Sequence, residues 1–256
     1  MELNIGLIGS GRMGQEVSRL APQKGHRIVA TFDRARALGA AAAGQGIDAY
    51  IDFSHPAAVM DHVRVLSRGQ APLVIGTTGW YEQLDEIRNL VLASGMAVVY
   101  APNFSLGVSA FLRIAQAAGR LFNTLVDYDL FVHETHHRGK VDSPSGTALA
   151  LADILLETVG RKTELRTGDA PGPVAPQQLH IASSRGGSVP GIHSVFFDSP
   201  SDTIELTHVA RNRSGFAAGA LLAAEWIQGK KGFFTLHDLL GDLFVGSPGQ
   251  EPPKEG

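Results

Sequence analysis

The sequence has no cysteine among its 256 residues. Disulfides, thiolate metal sites and cysteine nucleophiles are therefore excluded. The sequence also has no excess of basic residues, since 22 lysines and arginines stand against 25 aspartates and glutamates. This balance gives no electrostatic reason to expect nucleic acid as the main partner.

Long apolar runs and a leader-like start are absent too. No stretch of about 18 apolar residues is present, so we expect no membrane-spanning helix and no membrane partner. The opening letters MELNIGLIGSG show neither the basic region nor the cleavage site of a secretory signal. We therefore expect a cytoplasmic protein. A content of 44% hydrophobic and 18% charged residues is ordinary for a globular chain of one or two domains.

A glycine-rich loop lies near the start, between a strand-like and a helix-like segment. Gly9, Gly11 and Gly14 give the spacing G-x-G-x-x-G. In this context the first glycine permits a tight turn, the second lets a diphosphate approach the backbone, and the third lets helix and strand pack closely. The pattern predicts a dinucleotide site at a helix N-terminus. A plain strand-to-helix turn is the alternative.

The second strand-like segment, HRIVATFD, ends in Asp33. A carboxylate at this place is expected to meet the adenosine ribose hydroxyls of a dinucleotide. Arg34 follows at once, and its guanidinium is suited to a 2′-phosphate. The pair predicts a site that accepts both NADH and NADPH. An exposed charge pair at a strand end is the alternative.

Strand-like and helix-like segments continue to alternate through the first hundred residues. IDAYIDFS, APLVIGTTGW and MAVVYAPNFS are typical of buried strands, with helical patterns between them. This alternation predicts a parallel, doubly wound sheet of Rossmann type, with ligand at the carboxyl ends of the strands. The GTTG and APNF segments follow two such ends and are candidates for the nicotinamide half, although a Pro-Asn turn also explains the second.

The pattern changes after Gly107. The runs QLHIASSRGG, GIHSVFFDS and DTIELTHVAR follow one another without helices between them, which predicts a mixed or antiparallel sheet. We predict an inserted α+β domain over residues 107–215. The dinucleotide-binding domain comprises residues 1–106 and 216–256, with FTLHDLLGDLF as a helix and the tail GSPGQEPPKEG disordered.

The segment FVHETHH contains the letters H-E-x-x-H, from His133 through Glu134 to His137. On a helix this spacing places both histidines on one face, where they bind zinc. The segment is rich in β-branched and aromatic residues, and on a strand the same histidines are about 13 Å apart. They could not then share an ion with Zn–N bonds of about 2 Å. We therefore expect no metal here, with a zinc hydrolase as the alternative.

The following residues combine imidazoles, a lysine and a helix start. Ser145 is a candidate N-cap, so backbone N–H groups just after it lack helical partners. Together these groups predict a pocket for carboxylates with a proton donor, and an ordinary histidine pKa of about 6.5 suits that donor. A capped surface helix after a basic loop is the alternative. The groups concerned are His136, His137, Lys140, Gly146 and Thr147.

At these residues the sequence resembles a known family. ETHHRGKVDSPSGTA resembles the signature of the dihydrodipicolinate reductases, and GRMG, IDFS, IGTTG, NFSLGV, GIHSV, IELTH and FAAGAL agree along nearly the whole chain. The resemblance implies a Rossmann domain, an α+β substrate domain and a homotetramer formed through the substrate-domain sheets. It implies reduction of 4-hydroxy-tetrahydrodipicolinate, a small cyclic dicarboxylate, to tetrahydrodipicolinate with NADH or NADPH in the diaminopimelate and lysine pathway.

The resemblance also implies roles for single residues. His136 matches the proton donor/acceptor and Lys140 a second proton donor, while His137, Gly146 and Thr147 match substrate-binding positions. A non-catalytic NAD(P)-binding sensor of the same fold is the remaining alternative. Cofactor contacts are implied for Gly9, Ser10, Gly11, Arg12, Met13, Gly14, Asp33, Arg34, Gly76, Thr77, Thr78, Ala101, Pro102, Asn103 and Phe104.

Overall fold

The computed structural model describes residues 1–39 and 46–245, and the predicted disordered tail lies outside them. The chain divides into two compact units. The first holds Met1–Ser105 together with the chain from Arg213, and the second holds Leu106–Asn212. No helix among the described residues is both long and apolar enough to cross a membrane.

Strands and helices alternate along most of the chain. The strands are β1 (Asn4–Ile8), β2 (Arg27–Phe32), β3 (Ala49–Asp52), β4 (Leu73–Ile75), β5 (Ala97–Tyr100), β6 (Asp129–His136), β7 (Glu164–Thr167), β8 (Gln178–Arg185), β9 (Ile192–Asp198), β10 (Thr203–Val209) and β11 (Gly232–Thr235). The helices are α1 (Arg12–Leu20), α2 (Val59–Ser67), α3 (Leu84–Ser94), α4 (Leu106–Asn123), α5 (Gly146–Thr158), α6 (Ser214–Trp226) and α7 (Leu236–Val245).

The first unit contains a six-stranded parallel sheet in the order β11-β5-β4-β3-β1-β2. All residues of β3 and β4 are buried, as expected for parallel strands covered by helices on both faces. The chain starts at β1, forms the edge strand β2 beside it, and then adds β3, β4, β5 and β11 on the other side of β1. The prediction of a Rossmann-type α/β fold is confirmed.

One part of this sheet differs from the sequence prediction. The segment FTLHDLLGDLF was expected to be helical, but its first residues belong to β11, and α7 begins only at Leu236. Phe233 and Phe234 pair with Val98 and Val99 of β5, where aromatic side chains suit a half-buried strand. β11 lies at the edge of the sheet and is only partly buried, so it lacks the buried apolar run that marks β3 and β4.

The second unit contains a mixed sheet in the order β10-β9-β6-β8-β7. The central strand β6 is parallel to β8 and antiparallel to β9. One face of the sheet packs on α4 and α5 through a core that includes Val132, Phe197 and Leu155. Side chains alternate along a strand, so Phe131 and His133 point to the opposite face. The short strand β7 at the edge was not predicted, since its sequence ELRT has a single apolar residue and no buried one.

Candidate active site

The glycine loop lies between β1 and α1. Gly9 has a φ of +102°, and a Cβ on it would lie 2.3 Å from the carbonyl oxygen of Phe53. A Cβ on Gly14 would lie 2.0 Å from the carbonyl oxygen of Gly9. Neither position has room for a side chain, so both glycines are needed to close the turn.

Gly11 faces open space, since a Cβ there would meet no described atom within 4 Å. It is the N-cap of α1, and no side chain among the described residues caps the helix there. Arg12 and Met13 form the first turn, whose N–H groups favour an anion. Open space and unpaired donors together fit the diphosphate of NADH or NADPH.

Asp33 lies directly after β2. Its Oδ1 accepts the backbone N–H groups of Ala35 at 2.9 Å and Arg36 at 3.2 Å. A hydrogen bond from Ser10, followed by these two, lowers the pKa of the Asp33 carboxyl group. Arg34 is exposed, while Arg36, not singled out from the sequence, stacks its guanidinium on the Phe32 ring at 5.2 Å. The structure therefore brings Ser10 and Asp33 together.

The GTT loop after β4, residues 76–78, is hydrogen-bonded to a fully buried carboxylate, that of Asp52. The hydroxyl of Thr77 donates to Asp52 Oδ1 at 2.8 Å, and His62 Nδ1 lies 2.8 Å from Asp52 Oδ2. Trp80 Nε1 donates to the Thr77 carbonyl oxygen at 2.7 Å. The Thr77 side chain is therefore engaged inside the unit, and the exposed Thr78 faces outward. Asp52 was not predicted, although it ends β3 within IDFS.

A cavity of about 220 Å³ joins three of the predicted cofactor segments. Met13 comes from the glycine loop, Gly76 from the loop after β4, and four lining residues come from the APNF segment, residues 101–104. Phe104 has 1% of its surface exposed, so it supports this wall from the core. Arg213 also lines the cavity and was missed, because it lies more than a hundred residues further along the chain. The full lining is Met13, Phe53, Gly76, Ala101, Pro102, Asn103, Phe104, Arg213 and Phe216.

In the second unit, Glu134 of β6 is completely buried. Its Oε1 accepts hydrogen bonds from the backbone N–H of Ser145 at 3.0 Å, Ser183 Oγ at 2.9 Å and Arg185 Nη2 at 2.8 Å. Burial by itself would raise the pKa of Glu134, but the surrounding polar groups of His193, Ser145, Arg185 and Ser183 outweigh it and hold the pKa well below its ordinary value.

His136 lies two residues further on the same face of β6. Its Nδ1 is 3.3 Å from Glu134 Oε2, and its ring meets the His193 ring edge-on with centroids 5.0 Å apart. Burial lowers the pKa of His136 to about 4; the Glu134 charge opposes this shift, while His193, Lys140 and Arg185 add to it. The expectation of an ordinary pKa near 6.5 is therefore wrong for this state, because the ring is nearly excluded from water.

The remaining predicted substrate groups surround the start of α5. Ser145 is its N-cap, and its Oγ accepts from the Ala148 N–H at 3.2 Å. Gly146 and Thr147 form the first turn, which makes their N–H groups available to an anion. Lys140 Nζ binds both carboxylate oxygens of Asp142, at 2.7 and 2.9 Å, and this pairing lowers the pKa of Asp142.

The first four letters of H-E-x-x-H lie on the strand β6 and not on a helix, as expected, and His137 follows directly after the strand. His133 Nε2 lies 3.1 Å from Ser184 Oγ, on the sheet face opposite Glu134. Within the described residues, one cluster of acidic and histidine side chains has ligand atoms close enough for an ion, namely Glu134, His136 and His193, within 4.8 Å. Glu134 already binds the Arg185 guanidinium, which disfavours a second cation beside it.

A Rossmann sheet with a glycine loop at a helix start is typical of proteins that bind NADH or NADPH, and the α+β unit of the same chain carries a buried histidine. Residues 3–104 match the family model for the N-terminus of dihydrodipicolinate reductase, and residues 107–240 match that for its C-terminus. The chain belongs to the dihydrodipicolinate reductase family.

Individual relatives agree along nearly the whole chain. It is 38% identical to the 4-hydroxy-tetrahydrodipicolinate reductase of Christiangramia forsetii, covering 94% of this chain and 99% of the relative. It is 36% identical to the enzyme of that name from Methanoregula boonei, covering 91% and 95%. A dipicolinate-bound dihydrodipicolinate reductase from Paenisporosarcina has the same fold, with a TM-score of 0.71, 22% identity and coverage of 92% and 98%.

Proposed function

We propose that this chain reduces 4-hydroxy-tetrahydrodipicolinate to tetrahydrodipicolinate with NADH or NADPH, in the diaminopimelate and lysine pathway. The observation that carries the proposal is the 38% identity to a reductase of that name, combined with a helix start and a lysine suited to a dicarboxylate. We place the reaction in the cytoplasm, because it consumes reduced nicotinamide cofactor. The first unit binds the cofactor and the second unit binds the substrate.

The cofactor contacts follow the groups described in the first unit. The first turn of α1 binds the diphosphate, with Gly11 leaving the space for it. Asp33 accepts the adenosine ribose hydroxyls, and Arg34 meets a 2′-phosphate when NADPH is used. The segments at Gly76 and Asn103 take the nicotinamide end. Reduced nicotinamide supplies the hydride for the reaction, one proton is taken up, and the ring hydroxyl leaves as water.

The substrate carboxylates are held in the second unit. The N–H groups of Gly146 and Thr147 bind one carboxylate, helped by the partial positive charge at the helix start. Lys140 and His137 bind and orient the other groups of the ring. Lys140 also stabilises the negative charge that spreads over the ring nitrogen and carboxylates as the ring carbon is reduced.

His136 donates the proton that completes the reduction. Its pKa of about 4 means that the ring is neutral at neutral pH before substrate binds. A dianionic substrate beside it favours the imidazolium form, so the histidine gains its proton when the dicarboxylate binds. His136 therefore carries the proton that it donates only in the enzyme–substrate complex.

Turnover with enzymatically generated substrate tests the proposal. Absorbance of the reduced nicotinamide should fall in proportion to the substrate supplied, and tetrahydrodipicolinate should accumulate. A protein that binds NADH, as shown by calorimetry, but leaves it unoxidised in the presence of this substrate would be a nucleotide sensor and not a reductase.

We further propose that the chain assembles as a homotetramer through the open face of its second sheet. Phe131 and Phe196 stack on this face with ring centroids 4.6 Å apart and planes 7° apart. Phe131 is 37% exposed and Val209, in the same orientation on β10, is 55% exposed. Burying such a face against a second subunit removes exposed aromatic and aliphatic surface from water.

A further inference from the structure

The two oxygens of the Glu134 carboxylate face different parts of the site. Oε1 accepts the Ser145 N–H, at the start of α5, and the Arg185 guanidinium. Oε2 lies 3.3 Å from His136 Nδ1 and 3.6 Å from His193 Nε2. Neither Oε2 nor His136 Nδ1 has a hydrogen-bond partner of good geometry among the described residues. The Glu134 side chain therefore lies between the start of α5, which binds the substrate carboxylate, and the His136 ring, which donates the proton.

The other nitrogen of His136 is kept clear by a glycine. A Cβ on Gly191 would lie 3.0 Å from His136 Nε2 and 3.4 Å from its Cδ2. Any side chain at this position would press on the Nε2 edge of the ring. The chain before β9 therefore passes close to Nε2 without covering it with a side chain, whereas Nδ1 lies 3.3 Å from a carboxylate oxygen.

The charge of Glu134 needs an explanation, because a carboxylate beside a dicarboxylate pocket would repel the substrate. Arg185 removes this problem, since its guanidinium lies 2.8 Å from Oε1 and the pair is close to neutral. Arg185 Nη2 also donates to the Asp142 carbonyl oxygen at 2.7 Å, beside the loop that carries Lys140. Glu134 can thus stay ionised and accept a hydrogen bond from an imidazole N–H without a net negative charge at the site.

We propose that Glu134 is the positioning residue of this site: Oε2 fixes His136 with its proton on Nδ1 and its free Nε2 toward the substrate, while Oε1 anchors the first turn of α5. The inference deepens the proposed function and rests on the role of His136 given there. A neutral imidazole carries one N–H, and an acceptor beside Nδ1 decides that the proton resides there. Nε2 is then the nitrogen that gains and delivers the catalytic proton.

Glu134→Gln tests the proposal with almost no change in shape. The amide oxygen can still accept from Ser145, Ser183 and Arg185, but its NH₂ group then faces His136 Nδ1 as a donor. The imidazole should turn to the Nε2–H tautomer, which ¹⁵N NMR of labelled histidine detects. Because general acid catalysis contributes about 10²–10⁴-fold, kcat should fall about 10²-fold or more. The negative charge of Glu134 raises the pKa of His136, while burial, His193, Lys140 and Arg185 lower it. Without that charge the pKa of His136 falls further, so the kcat–pH profile should shift to lower pH.

Three comparisons decide between positioning and a merely structural role. Glu157→Gln, on an exposed face of α5, should keep the tautomer, the pH profile and kcat of the wild type. NADH affinity should be unchanged in both variants. If Glu134→Gln lowers kcat while tautomer and pH profile stay as they were, Glu134 only supports the helix and the proposal is wrong; wild-type kcat in this variant also overturns it.

The tautomer of His136 can also be measured in the wild-type protein. This test does not depend on whether a variant folds. Nδ1–H on His136 is the expected result, and Nε2–H in the free enzyme contradicts the proposal. This result does not depend on turnover. If His136→Gln leaves kcat unchanged, the proposed role of His136 fails, while the tautomer still reports whether Glu134 orients the ring.

Discussion

His136 is the side chain on which the proposed chemistry most depends, and His133 provides its matched control. Both lie on β6, but His133 points to the opposite face and contacts Ser184. His136→Gln should lower kcat by about 10²–10⁴-fold, as expected for a lost general acid. His133→Gln should leave turnover nearly intact. Steady-state kinetics with NADH titration checks both, and a catalytic loss confined to His133→Gln would overturn the assignment.

The charge state of His136 also makes stability depend on pH. The folded pKa of about 4 lies below the unfolded value of about 6.5, so the unfolded chain binds the proton more readily between these values. The contribution of neutral His136 to the free energy of unfolding is therefore fully present above about pH 6.5 and is lost as pH falls toward about 4. Denaturant unfolding of wild type and His136→Gln across this range isolates the effect from other groups. Wild type should lose more stability than the variant on acidification, and equal losses would contradict the buried neutral state.

Several single residues were within reach of sequence analysis, and others were not. The motif letters predicted the helix start at Ser145 correctly, because an N-cap and its first turn are local features. The roles of His136 and Lys140 stay predictions. The lowered pKa of His136 was not predictable, since it depends on burial by segments far away in the chain. Arg213 was missed for the same reason: a lone arginine before a helix has no local signal for the cavity that it lines.

Helix α6 packs closely on the backbone of the segment at Phe104, and a glycine makes this contact possible. A Cβ on Gly219 would lie 1.8 Å from the Phe104 carbonyl oxygen, whereas one on Gly215 would lie 3.6 Å from Ser105 Oγ. Alanine is favoured over glycine in a helix by about 1 kcal/mol. At Gly219 the backbone contact outweighs this gain, and we expect Gly219→Ala to destabilise the fold by about 1–3 kcal/mol.

Gly215→Ala is the control in the same helix. Its contact is an ordinary one, so the change should be neutral or stabilising by up to about 1 kcal/mol. Denaturant midpoints of both variants measure the difference. Equal midpoints, or a less stable Gly215→Ala, would show that the close packing of α6 on the Phe104 segment is not as described.

Strands with a buried apolar run were predicted correctly, while two edge strands without such a run were not. The buried runs of β3, β4 and β5 have several apolar residues bounded by turns, and the sequence identified each of them. β7 and β11 have four residues each and sit at sheet edges. These segments are strands because they pair with a neighbouring strand, and the local sequence pattern does not reveal that pairing.

At the scale of the whole molecule, assembly through the second sheet makes a prediction of its own. Phe131→Glu places a charge on the open face and should weaken the tetramer, because burying an unpaired carboxylate is unfavourable. Leu121→Glu, on an exposed part of α4, should leave assembly unchanged. Light scattering at micromolar concentration measures both. A monomeric wild type, or a tetramer that tolerates Phe131→Glu, would contradict assembly through this face.

The central claim, that the chain transfers hydride from nicotinamide to a cyclic dicarboxylate, is tested most directly with NADH deuterated at both positions of nicotinamide carbon 4. The reaction is run with enzymatically generated 4-hydroxy-tetrahydrodipicolinate, and the product is analysed by mass spectrometry. Hydride transfer predicts tetrahydrodipicolinate that carries one deuterium on a ring carbon, with oxidised cofactor formed in equal amount. Unoxidised cofactor, or a product without deuterium, would contradict the account.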